Sequence, residues 1–156
     1  MVALGIWKLL HLFFSFSFVG TLMVADWNGR AARATSDWGQ RALLLDICRI
    51  SSGVAGLGAL IVLGVAGMVL SHLVGPPLHH DMWMHSVVAL WLVMVLVMLF
   101  VTRPAIGRLA TIARGVTAGG SSDGFEAALR RWRLGNVALS LLYLALLVLM
   151  VFRWRS

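Results

Sequence analysis

The chain has 156 residues, of which 60% are hydrophobic and 12% are charged, and its net charge is +7. Such an apolar composition excludes an ordinary soluble domain, in which about 45–50% of the residues are apolar, and predicts a protein surrounded largely by lipid. Most of the positive charge is arginine between long apolar runs, where it sets orientation and contacts anionic lipid, so we do not expect nucleic acid as a partner.

Four apolar runs are long enough to cross a bilayer as helices, which takes about 20 residues each. They cover approximately residues 3–25, 42–71, 82–102 and 134–152. The first run is rich in phenylalanine and is followed by Asp26 and Trp27 instead of small residues, so we interpret it as a retained span and not as a cleaved signal peptide. The sequence therefore predicts an all-α integral membrane protein, with residues 1–156 forming a single four-helix bundle.

The distribution of basic residues predicts the orientation of this bundle. The chain ends contain Lys8, Arg153 and Arg155, and the loop 72–81 contains no lysine or arginine. Cytoplasmic loops are enriched in lysine and arginine. We therefore expect loops 26–41 and 103–133 to be cytoplasmic, with both termini and loop 72–81 in the periplasm of a bacterium. The arginines in the two cytoplasmic loops are Arg30, Arg33, Arg41, Arg103, Arg108, Arg114, Arg130, Arg131 and Arg133.

Two features concern helix ends and helix packing. Pro104 predicts that the third helix ends there or that a short surface helix begins, over residues 104–115. The second apolar run contains several glycines, and small residues allow helix backbones to approach closely in lipid. We expect these glycines to pack against a helix of this chain, of another membrane subunit or of a second copy, or else to leave room for a flat cofactor. They are Gly53, Gly56, Gly58, Gly64 and Gly67.

All histidines of the chain map to the predicted periplasmic half. With a rise of 1.5 Å per residue, His11 lies about 4.5 Å deeper than Lys8, and His85 lies about 6 Å deeper than Asp81. An ionisable group within a span is a candidate functional residue, although a structural hydrogen bond is the alternative for both. We predict that His11 and His85 face each other at a common depth. The remaining histidines are His72 at a helix end and His79 and His80 in a loop.

This pattern is compatible with three kinds of function. Two facing histidines can ligate the iron of haem b, so the first is a redox or electron-transfer protein with His11 and His85 as axial ligands. The second is copper handling, because imidazole and thioether groups suit copper. The third is a cofactor-free structural or assembly subunit of a membrane complex. Whether the protein is an enzyme stays open. The copper ligands would come from His11, His72, His79, His80, His85, Met82 and Met84.

The first helix resembles a known superfamily of small bacterial membrane proteins. The stretch WKLLHLFFSFSFVG, from Trp7 to Gly20, is similar to the opening helix of the copper-resistance D (CopD) family, of the HemJ-type protoporphyrinogen oxidases and of a family of predicted integral membrane proteins. Their shared feature is a histidine followed about nine residues later by glycine, here His11 and Gly20. A similar second helix ends in glycines within an aliphatic run, here Gly64 and Gly67.

The resemblance implies a haem ligand and also shows a departure. In haem-binding members the histidine of the first helix is an axial ligand, which implies this role for His11. HemJ-type proteins have a tryptophan at the start of the third helix and a lysine a few residues later. Trp83 matches the tryptophan, but the lysine position falls at or near Val87, and His85 would have to replace it as second ligand. This departure puts protoporphyrinogen oxidation in doubt and leaves haem binding as the expectation.

Overall fold

The computed structural model describes residues 2–74 and 82–151, and the elements in these ranges are all helical. Two segments of π-helix, Ser51–Gly56 and Met98–Thr102, join α2 to α3 and α4 to α5 without a break. The six helices are α1 (Val2–Ala34), α2 (Trp38–Ile50), α3 (Leu57–Val74), α4 (Met82–Val97), α5 (Arg103–Thr117) and α6 (Phe125–Val151).

Within the described ranges, four helical stretches are long and apolar enough to cross a membrane. For these ranges this confirms the all-α prediction, and it confirms that four helices are capable of spanning a membrane, as the apolar runs indicated. The stretches are Val2–Ala34, Trp38–Leu73, Met82–Thr117 and Phe125–Val151.

The helices extend beyond the predicted spans into segments that the sequence assigned to loops. At 1.5 Å per residue, the 33 residues of α1 measure about 50 Å, whereas the hydrocarbon core of a bilayer is about 30 Å thick. Only residues 35–37 separate α1 from α2. The predicted surface helix 104–115 is present as part of α5, but it continues from α4, and Pro104 is accommodated in the first turn of α5. The regions 26–41 and 103–133 are therefore mostly helical.

The bundle has two ends and two clusters of buried side chains. We call the end where α1 and α4 begin the histidine end, and the end where α2 and α6 begin the arginine end. The cluster nearer the histidine end consists of Phe18, Leu22, Ala59, Leu60, Leu63, Met94, Met98, Leu139, Tyr143 and Leu146. The cluster nearer the arginine end is rich in alanine, which lets the helix extensions pack closely. It consists of Ala25, Ala32, Ala42, Leu45, Cys48, Ala105, Ile106, Leu109, Ala110, Ala113, Phe125, Ala128, Leu129 and Trp132.

The four spans surround these clusters in chain order. α1 packs on α2 and α3, α2 packs on α5, and both α4 and α5 pack on α6. By contrast, α1 and α6 contact each other at few positions. The first and last spans therefore border the least closely packed side of the bundle.

The indole ring of Trp91 on α4 packs directly against Gly64 of α3. A Cβ atom on Gly64 would overlap the indole ring, and the indole Nε1 donates a hydrogen bond of 2.8 Å to the carbonyl oxygen of Leu60. Side chains on a helix lean toward its N-terminus, so the missing Cβ of Gly64 uncovers the carbonyl one turn earlier. The space that the glycine leaves is thus filled by a ring of the same chain, as the interpretation of the glycines as packing positions predicts.

Replacing Gly64 with alanine should destabilise the protein, because the indole must shift and its bond to Leu60 weakens. Overpacking of this kind costs about 1–3 kcal/mol. Gly58→Ala is the matched control, since a Cβ at this position of the same helix meets nothing within 4 Å. The control should be neutral or stabilising by up to about 1 kcal/mol through helix propensity. Thermal unfolding in detergent measures both variants, and equal midpoints would contradict the contact.

Candidate histidine site and the neighbouring groove

His11 lies on the side of α1 that faces the bundle interior. Residues seven apart on a helix share a face, because they are separated by about two turns. His11 therefore shares the face of Phe18, which is completely buried. The imidazole itself is partly buried, and its neighbour is α3. The histidine is thus directed toward protein and not toward the acyl chains.

The imidazole of His11 contacts α3 in the same way as Trp91 does. Its Nδ1 lies 3.2 Å from the carbonyl oxygen of Leu63. A Cβ atom on Gly67, four residues after Leu63, would lie 3.1 Å from Cε1 and 3.3 Å from Nδ1 of the ring. A glycine again uncovers the carbonyl one turn earlier, and a ring from a neighbouring helix binds there. Gly64 and Gly67 are three residues apart, so α4 and α1 contact α3 at adjacent positions.

The contact with Leu63 determines which nitrogen of His11 carries the proton. A carbonyl oxygen can only accept a hydrogen bond, so Nδ1 must be the donor. In the neutral ring the lone pair is then on Nε2, and no hydrogen bond to Nε2 occurs within residues 2–74 and 82–151. Metal-binding histidines commonly have this arrangement, in which one nitrogen donates to a carbonyl and the other binds the ion. The geometry therefore suits His11 as one metal or haem ligand.

His85 and His72 have different surroundings from His11. Both side chains are exposed. His85 precedes the fully buried Met94 by nine residues, or about two and a half helical turns, which places it on the opposite side of α4. Near the start of the same helix, Trp83 donates a hydrogen bond of 2.6 Å to the carbonyl oxygen of Leu149 and fixes α4 against α6. The predicted pairing of His11 with His85 across the bundle stays a prediction.

The copper alternative depends partly on residues outside the described ranges. His79 and His80 lie in the segment 75–81, which the structure does not describe. Among the described residues, no group of three or more histidine, cysteine, aspartate or glutamate side chains could hold a metal ion. Met82 is largely exposed, and Met84 is half-buried. The copper ligand set therefore also stays a prediction.

A groove of about 1100 Å³ lies between α1 and α6 and is open along one side. This groove could not be predicted from the sequence, because its walls come from the first and last spans, which are far apart in the chain. The walls include exposed apolar side chains of both helices, such as Phe16, Met23, Leu141 and Leu144. Contact with lipid alone would also require apolar side chains on the surface of each helix. Only the position of α1 relative to α6 in the folded protein therefore shows that these side chains line a groove.

Several polar groups line this groove. The hydroxyl groups of Ser15 and Tyr143 form a hydrogen bond that links α1 to α6. Trp132 is 2% exposed and Asn136 is 7% exposed, and both side chains line the groove. The buried Nε1 of Trp132 and Oδ1 of Asn136 have no hydrogen-bond partner within the described part of the chain. Because buried polar groups are normally paired, these two atoms are unsatisfied polar groups in the wall of the groove.

Charged residues line the groove only at the arginine end. They are Asp26, Arg30, Arg33 and Arg133. Arg30 and Asp26 form an exposed ion pair of 2.6 Å, one helical turn apart on α1. Arg33 and Arg133 have no ion pair within residues 2–74 and 82–151. The groove is therefore apolar over most of its length and positively charged at one end.

Comparison of the chain with protein-family models, with curated proteins and with solved structures finds no match. The resemblance of the first three helices to the CopD and HemJ-type superfamily stays a prediction.

Proposed function

We propose that the protein is a multi-pass protein of a bacterial inner membrane that binds haem b, with His11 as an axial ligand. The observation that supports this best is the contact of His11 with Leu63 and Gly67. This contact orients the ring, and with Nδ1 as the donor the lone pair of Nε2 has no hydrogen-bond partner among the described residues. His85 on α4 is the second ligand that the sequence offers from the same end of the bundle. Copper bound by the histidines and by Met82 and Met84 is the alternative ligand.

The residues of the chain would have distinct tasks in such a site. His11 would bind the iron, and the carbonyl of Leu63 would hold the ring in one orientation. Gly67 keeps the ring close to α3 because no side chain separates them. A bound haem would supply one-electron redox chemistry within the membrane. The space beside Gly64 is occupied by Trp91, so the porphyrin would not lie against α3 at that position.

We further propose that the arginine end is cytoplasmic and that both termini are periplasmic. The helix extensions around the alanine-rich cluster contain most of the arginines, including Arg30, Arg33, Arg108 and Arg114. This distribution supports the orientation because basic residues are enriched on the cytoplasmic side. The histidines would then be close to the periplasmic surface.

A cofactor-free structural role is the second candidate, and one observation favours it. The ring of His11 fills the space at Gly67 and satisfies a donor in the absence of any ligand. With Trp91 at Gly64, this contact is sufficient to explain why a polar residue lies in the first span. In this case the protein would act as a subunit or assembly partner of a membrane complex.

Visible spectroscopy of the purified protein separates these candidates. We expect a Soret band and sharp α and β bands after reduction with dithionite, and we expect His11→Ala to abolish them. His11→Asn keeps a donor at the position of Nδ1 for Leu63 but removes Nε2, so it should also lose the haem bands while the protein remains folded. His72→Ala is the matched control and should retain the spectrum. His85→Ala should change the bands if His85 is the second ligand.

Other outcomes of the same experiment would reject haem binding. A folded but colourless protein with stoichiometric copper supports the copper alternative. A folded protein without colour or metal supports the structural role. Haem bands that persist unchanged in both His11 variants would show that His11 is not a ligand.

The orientation can be tested independently with reporter fusions. Alkaline phosphatase is active only in the periplasm, so a fusion to the C-terminus should be active and one inserted between Gly119 and Gly120 should be inactive. The opposite pattern would place the arginine end outside and contradict the proposed topology.

A further inference from the structure

The groove between α1 and α6 has no task in the proposed haem site. Its walls are apolar, and the side chains that form them remain exposed, including Phe16 at 74% and Leu144 at 58% of their surface. In a membrane such surfaces contact acyl chains. The distribution of polar and charged residues along the groove indicates which lipid it selects.

Two contacts join α1 to α6 along the groove and mark out its central part. Toward the histidine end, Ser15 bonds to Tyr143, and toward the arginine end the ring of Trp132 covers Gly29. The 14 residues from Ser15 to Gly29 correspond to about 21 Å of helix. One leaflet of a bilayer has about 15 Å of hydrocarbon, half of the total core. The groove is therefore long enough for an acyl chain that enters from the arginine end.

The charge at the arginine end favours an anionic headgroup. Three arginines line this end, and a single aspartate, Asp26, opposes them by pairing with Arg30. Arg33 and Arg133 lack an ion pair within the described residues. Guanidinium groups bind phosphate with two parallel hydrogen bonds. A phosphate at this position would therefore find two donors that the protein itself does not use.

The unpaired polar atoms lie between the arginines and the apolar walls. Trp132 and Asn136 line the groove one helical turn apart on α6, and each has a buried polar atom without a hydrogen-bond partner in residues 2–74 and 82–151. In a phospholipid, the ester groups occupy the corresponding place between the phosphate and the acyl chains. An ester carbonyl is an acceptor for the N–H of Trp132, and a headgroup hydroxyl is a donor for the amide oxygen of Asn136.

We propose that the groove binds an anionic phospholipid from the leaflet at the arginine end. The phosphate lies among Arg30, Arg33 and Arg133, and an acyl chain lies along α1 and α6. A second copy of the chain fits this surface less well. Copies related by a twofold axis through the groove would bring the same unpaired arginines together, and like charges repel.

Native mass spectrometry of the detergent-purified protein tests this proposal with defined lipids. Phosphatidylglycerol and phosphatidylcholine with identical acyl chains are titrated separately. The double variant R33A/R133A should bind phosphatidylglycerol about 25-fold more weakly, because each basic residue near an anionic lipid contributes about fivefold. The double variant R108A/R130A has the same net charge but changes exposed arginines outside the groove, and it should bind like the wild type.

A second pair of variants tests the role of the carboxylate. Asp26→Asn removes the group that competes with phosphate for Arg30, so its affinity for phosphatidylglycerol should rise. Asp123→Asn changes the net charge equally outside the groove and should leave the affinity unchanged. Equal effects of both aspartate variants, or of both arginine double variants, would overturn the proposal in favour of non-specific attraction.

A third pair of variants tests the position of the acyl chain. Leu144→Trp places a large ring in the groove and should weaken the binding of both lipids, whereas Val93→Trp on the exposed surface of α4 should not. A dimer that is abolished by Leu144→Trp, with lipid binding unchanged, would identify a second copy as the occupant and overturn the proposal. These readouts do not involve haem, so the two proposals can fail separately.

Discussion

The arrangement of this membrane protein depends on two carbonyl groups of α3 that glycines leave uncovered. A backbone carbonyl in lipid has no water to bind, so a donor from a neighbouring helix can form a bond there that fixes the position of that helix. Leu60 accepts from the indole of Trp91, and Leu63 accepts from the imidazole of His11. α3 thereby connects the first and third spans through one type of contact, repeated within a single helical turn.

The same contact links packing to the proposed chemistry. When the neutral ring of His11 donates from Nδ1 to Leu63, the lone pair is on Nε2, so the contact that holds α1 against α3 also leaves the nitrogen that the proposed haem site would use. On the other side of α1, the contact with α6 is limited. The two helices are joined by the hydrogen bond between the hydroxyls of Ser15 and Tyr143 and by the packing of the Trp132 ring on Gly29. The groove extends along both helices. The most and least closely packed surfaces of α1 thus correspond to the two proposed binding functions.

The helical class and the four apolar spans could be predicted from the sequence. An apolar run of about 20 residues must pair its backbone groups internally in lipid, and a helix does this. The sequence also predicted close packing at glycines such as Gly64 and Gly67. It did not predict that Trp91 and His11 are the side chains that pack there, because this depends on which helices are neighbours in the folded protein. The extension of α1 to Ala34 was not predicted, because a charged, alanine-containing segment can be a loop or a helix until its packing is known. For the same reason the groove could not be predicted, and the depth of His85 gave no information about which side of α4 it occupies.

The protonation state of His11 is the most direct test of this account. Nitrogen-15 NMR of the protein labelled in histidine, with His11 assigned by comparison with His11→Asn, distinguishes the two ring nitrogens. The account predicts a neutral ring with the proton on Nδ1 and with Nε2 unprotonated or bound to a metal. A proton on Nε2 with none on Nδ1 would contradict the bond to Leu63 and, with it, the proposed role of His11 as a ligand.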